Sequence, residues 1–246
     1  MFMPVVSSSV EAARGEFVIA AHHPDRLRRP PVVGSRVAEA RFQQAFAWNV
    51  FRTLDLLPPA FWTRRLHARL GAEQCPAAPQ SLRVHLWKPL PLPPAQRIDG
   101  AKQDVIVDVT IETEHSVWTL LLLDDHDRRL LDTDVSSADP VGSILDAAAW
   151  RAGRRQHYVG ALEARSTPGS IGSVLRQRYS RSRDSVQLRS GARWGSVARV
   201  DLFGVIDWAD LIDILEDCAA ASVLSPIERA LARNTLAWIE RSGVSF

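Results

Sequence analysis

Asp104-Val-Ile-Val-Asp108-Val-Thr-Ile-Glu112-Thr-Glu-His-Ser-Val-Trp-Thr-Leu120-Leu-Leu-Leu-Asp124-Asp125 is the stretch that decides the fold of this chain. Its first half alternates and reads as a strand over 104–112. Its second half, 117–123, is a near-continuous apolar run. Glu114-His115-Ser116 makes the turn between them, so the two halves form a hairpin. A strand apolar on both sides is one covered on both sides, as inside a layered α/β sheet. Asp104, Asp108 and Glu112 recur every four residues, and at a side-chain period of two they share one face. Like charges in a row cost energy unless they are solvated, paired with cations or bound to a metal.

Outward from the hairpin, helical and extended patterns alternate. Val37, Phe42, Ala45, Phe46, Val50 and Leu54 predict a helix over 36–56, ended at Leu57-Pro58-Pro59, with a second helix over 60–70. Residues 82–87 alternate as a strand, and 88–101 are proline-rich and read as irregular. After an acidic, polar segment over 124–138, Asp139-Pro140 opens a helix that Gly153 terminates, and 156–162 is the next strand. Thr167-Pro168 opens a helix to about Arg178, and a strand falls within 197–205. Asp207 and Ser225 cap helices over 208–220 and 226–241. The order predicts an α/β fold with a mixed central β-sheet flanked by helices. Residues 1–35 form an irregular N-terminal arm, and 36–246 one α/β domain that includes the C-terminal helices.

Composition narrows the chemistry. The chain has 246 residues, 46% of them hydrophobic, and a net charge of +2, too small to imply a polyanionic partner by itself. Its 30 basic residues include only two lysines, Lys88 and Lys102, a bias expected of a high-GC genome. Any chemistry that needs a deprotonated amine must use one of those two, because arginine stays charged. Cys75 and Cys218 fit no metal-ligand spacing and read as reduced thiols of a cytoplasmic protein. No apolar run of about 18 residues predicts a membrane span, and no secretory leader is evident. Trp48, Trp62 and Trp238 fall among apolar neighbours in helices and read as core.

Asp108-Val-Thr-Ile-Glu112-Thr113, preceded by a helix carrying Glu39 and followed by a helix and a strand, resembles the restriction-endonuclease-like superfamily with its PD-(D/E)XK motif. The likeness spans about residues 36–165. It implies a metal-binding acid at Asp108, a helix acid at Glu39, and an acidic-x-Lys on the second hairpin strand. This chain departs from that pattern, with Leu121-Leu122-Leu123 in the acidic-x-Lys positions and neither lysine beside them. The resemblance therefore implies a degenerate member, a nuclease frame whose catalytic site is eroded.

Two sets of residues remain as candidates. Asp124 lies just past the leucines, and in a longer register it supplies the second carboxylate beside Asp108 for magnesium or manganese, with His126 as general base. Arg176, Arg178, Arg181, Arg183 and Arg193, interleaved with Tyr179 and Trp194, suit phosphate contact and base stacking. An acidic segment from Asp201 to Asp217 follows and offers partial neutralisation. The leading expectation is a nucleic-acid-binding or complex-subunit module that needs no cofactor. The alternatives are a divalent-metal phosphodiesterase using Glu39, Asp108, Asp124 and His126, and a protein-interaction module. DNA or RNA, a protein partner or a second copy of the chain are the partners these readings call for, and a membrane is not.

Overall fold

The computed structural model describes residues 37–71, 78–94, 104–123, 140–163, 169–180 and 200–242; the side chains of 37–42 and Ser180 fall outside that description. Two helices come first, α1 (Val37–Leu56) and α2 (Pro59–Arg69). The break falls at Leu57-Pro58, and Pro59 opens α2, where a missing backbone N–H costs nothing. Three strands follow, β1 (Leu82–Pro91), β2 (Asp104–Thr113) and β3 (Ser116–Leu122). Then α3 (Pro140–Ala152), β4 (Gln156–Glu163), α4 (Ile171–Ser180) and β5 (Leu202–Asp207) alternate. The order closes with α5 (Trp208–Ala220) and α6 (Pro226–Arg241).

The five strands form one mixed sheet in the order β1-β2-β3-β4-β5. The first three pair antiparallel, while β4 and β5 run parallel to β3. The connections explain the switch. A two-residue turn, Glu114-His115, can join only antiparallel neighbours, whereas a parallel neighbour needs a crossover, which α3 and α4 provide. The class is thus α/β, with a five-stranded mixed sheet flanked by helices on both faces.

The helices on one face, α1, α2, α5 and α6, bury Phe46, Trp48, Phe51, Trp62 and Leu66 against Val109, Ile111, Trp118, Leu120 and Ile206. On the other face α3 and α4 bury Val141, Leu145 and Leu175 against Leu121, Val159, Ala161 and Phe203. Capping boxes at Asp207–Asp210 and Ser225–Glu228 fix the starts of α5 and α6. The end of α2 reaches the sheet at Gly204, where a Cβ would lie 2.5 Å from the backbone of Leu70. Only glycine admits that approach. Along α2, Arg65 pairs with Asp217 at 2.6 Å, and Arg69 pairs with Asp210 at 2.7 Å and Asp213 at 3.0 Å. These acids of α5 therefore neutralise arginines of α2.

The structure differs from the sequence expectation in the first two strands. The proline-rich segment after Trp87 is not irregular from its start, since β1 continues through Lys88, Pro89, Leu90 and Pro91. β1 is an edge strand, and an edge tolerates prolines because half of its N–H groups need no ladder partner. Trp87 takes a positive φ of 51°, and the ladder between β1 and β2 skips it. Alternation breaks there. Leu86 and Trp87, adjacent in sequence, both enter the large core, with Trp87 stacked on Trp48 at 5.9 Å. Across the break, Val109 packs in that same core while Val107 packs with Leu90, Ala147 and Ala148 beneath α3. Period two therefore fails at Asp108, and the expected single row of acids does not form.

Candidate functional site

The hairpin leucines are structural. Leu121 and Leu123 are 3% and 4% exposed and belong to the core beneath α3 and α4. Burying each contributes roughly 1.5–3 kcal/mol, so a carboxylate or lysine in that position would forfeit packing as well as solvation. Asp108 is held close by. Its Oδ2 accepts the backbone N–H of Leu122 at 3.0 Å. The backbone register of β2 with β3 extends from Glu112–Val117 to Val109–Leu120. Just beyond it, the Asp108 side chain meets the next inward N–H of β3.

Glu112 is the centre of a charge cluster. Lys88 bonds to its Oε1, Arg151 Nη2 lies 3.1 Å from its Oε2, and Arg155 Nη1 lies 3.7 Å from the same oxygen. Burial disfavours the charge of Glu112, but the bonds and charges of Lys88 and Arg151 outweigh that and hold the carboxyl at about 2. Among the described residues, three cations pair with this one anion. Arg155 also donates to the carbonyls of Thr113 at 3.1 Å and Arg151 at 3.0 Å, tying the end of α3 to the end of β2. Gly153, with a φ of 61°, ends the helix and turns the chain there. Arg154 follows, exposed, and has no ion-pair partner among the described residues.

The sequence candidates are not all brought together. Asp104 is exposed at the outer end of β2, Asp108 faces β3, and Glu112 faces the end of α3. Glu39 lies in α1, with its side chain outside the described residues; Asp124, His126, Arg181, Arg183 and Arg193 lie outside them altogether. Arg176 and Arg178 are on α4. Tyr179, expected among the base-stacking side chains, is instead buried and stacked on Phe203 at 6.3 Å. Among the described residues no group of three or more His, Cys, Asp or Glu side chains could hold a metal ion.

Sequence reasoning missed three features. Lys88 reaches Glu112 from a stretch of strand that prolines disguise as loop. Glu163, the last residue of β4, is buried and accepts the N–H of Gly172 at the start of α4, a favourable place for a negative charge. Trp150 is 56% exposed. Its signal was available, because Val141, Leu145, Ala147, Ala148 and Ala152 are the buried residues of α3 and Trp150 falls outside the face they form. Compared with known protein families, curated proteins and solved structures, the chain matches none.

Proposed function

We propose that this chain is a nucleic-acid-binding module on a nuclease-like α/β frame, its cation-holding positions taken over by packing. The observation that carries the reading is Leu121, at the place where the resemblance expects the second acid and buried with Val141, Leu145 and Val159. The element order α1, α2, β1, β2, β3, α3, β4 supports the frame, since it contains the helix, hairpin, helix and strand that the resemblance implies, with α2 and β1 added before the hairpin. The described residues do not suit magnesium or manganese, because Asp108 holds a backbone N–H and its expected partner is a leucine. The cations paired with Glu112 support a polyanionic ligand.

The test is binding of labelled DNA and RNA oligonucleotides by fluorescence anisotropy over a range of salt concentrations. The expected outcome is an affinity that falls steeply and log-linearly with salt, as phosphate contacts require. Absence of binding at low salt removes the reading. A second reading, docking to a second copy of this chain, rests on Val223 and Ile227, which stand 80% and 74% exposed at the α5–α6 turn. Sedimentation of the chain alone, against a Val223→Ser, Ile227→Ser double variant, separates self-association from a monomer.

A further inference from the structure

We infer that the C-terminal end of α3 binds single-stranded nucleic acid, with Trp150 as the stacking surface and Arg151 and Arg154 as phosphate contacts. This rests on the nucleic-acid reading and narrows it to one surface and one strand form. The other described tryptophans, Trp48, Trp62, Trp87, Trp118, Trp208 and Trp238, are buried in the large core. Trp150 alone among them turns its ring to solvent, on the side of α3 away from the sheet. Nothing in the packing of α3 requires an aromatic residue there, since its buried stripe is complete without it.

The charges beside the ring are pre-arranged. Arg151 is about half exposed, yet Glu112 fixes its guanidinium, which limits the entropy lost when it meets a phosphate. Glu112 is itself already neutralised by Lys88, so it does not cancel Arg151 fully. Arg154 extends from the turn after Gly153 with no ion-pair partner among the described residues. Arg155 braces that turn through the carbonyls of Ala152, Arg151 and Thr113. An exposed indole flanked by arginines is what a single strand uses, its bases stacking on the ring while its phosphates meet the cations. The bases of a duplex are already stacked and cannot reach a ring on a helix surface.

The test uses the full chain and a labelled thymidine oligonucleotide, with the matching duplex as comparison. Trp150→Ala is expected to weaken single-strand binding about tenfold or more, and Trp150→Phe to restore most of it. Arg154→Ala is expected to weaken it a few-fold and reduce the salt slope by about one. Arg64→Ala, an exposed arginine on α2 in the opposite helical layer, leaves binding unchanged. Circular dichroism and melting establish that each variant folds, and Trp150 is at the surface. If the wild type binds single strands and Trp150→Ala binds equally well, this inference fails while the broader reading stands. The same holds if the loss follows Arg176→Ala and Arg178→Ala instead, or is as large for the duplex. If the wild type binds no nucleic acid, both fail.

Discussion

Removing the Asp108 carboxylate separates a structural acid from a metal ligand. In the structure it accepts the Leu122 N–H at 3.0 Å. A hydrogen bond to a charged group contributes about 1.5–3 kcal/mol, and an unpaired buried N–H costs a similar amount. Asp108 is only partly buried, so water repairs some of the loss. Asp108→Ala is therefore expected to destabilise the protein by about 2 kcal/mol, lowering the melting temperature by roughly 4–8 °C for a chain of this size. Asp108→Asn keeps a carbonyl acceptor and is expected to lose about 1 kcal/mol or less. Urea denaturation gives both values, with an unchanged slope if the denatured state is unaltered. A vacant metal site behaves in the opposite way, because removing an unsatisfied acid relieves repulsion. If Asp108→Ala equals or exceeds the wild type in stability, the structural account of Asp108 is wrong.

Three further outcomes follow from the same contacts. Leu121→Ala is expected to cost about 2–5 kcal/mol by chemical denaturation, and Leu121→Glu to prevent folding, because the side chain lies in the core beneath α3. Glu112 has its carboxyl held at about 2, below its ordinary 4.5, so its ion pairs stabilise the fold fully above about pH 4.5, and that stability is lost as the pH falls towards 2. These ion pairs contribute at most about 3 kcal/mol, less because Arg151 is screened by solvent; Glu112→Gln should flatten the stability profile between pH 2 and 4.5 in acid titrations followed by circular dichroism. Gly204→Ala places a Cβ 2.5 Å from the Leu70 backbone and is expected to cost about 3 kcal/mol or prevent folding, and a melting temperature like the wild type's would contradict that packing.

Much of the fold is legible in the sequence because its elements carry strong local signals. Pro59, Gly153, Asp207 and Ser225 mark helix ends, and each acts where its chemistry predicts. The apolar run 117–123 gives an interior strand for the reason that holds in the sheet, helices on both faces. The site is less legible because its contacts are set by irregularities. Period two predicts Asp104, Asp108 and Glu112 in a row, and the alternation shifts at Asp108, where the ladder to β1 skips both it and Trp87 with its positive φ. Prolines at 89 and 91 suggest a loop, which hides the strand that brings Lys88 to Glu112, though an edge strand accepts both. Tyr179 sits among arginines in sequence but packs on Phe203, since helix periodicity, not sequence proximity, decides which way a side chain points.

The hairpin is proposed to be a scaffold for binding rather than for metal chemistry. Titrating the wild-type chain against a single-stranded oligonucleotide in chelator and again in magnesium or manganese, while recording strand length by gel, tests it most directly. The account predicts binding in chelator, no gain with the metal, and an intact strand throughout. Metal-dependent cleavage that Asp108→Asn abolishes would contradict it.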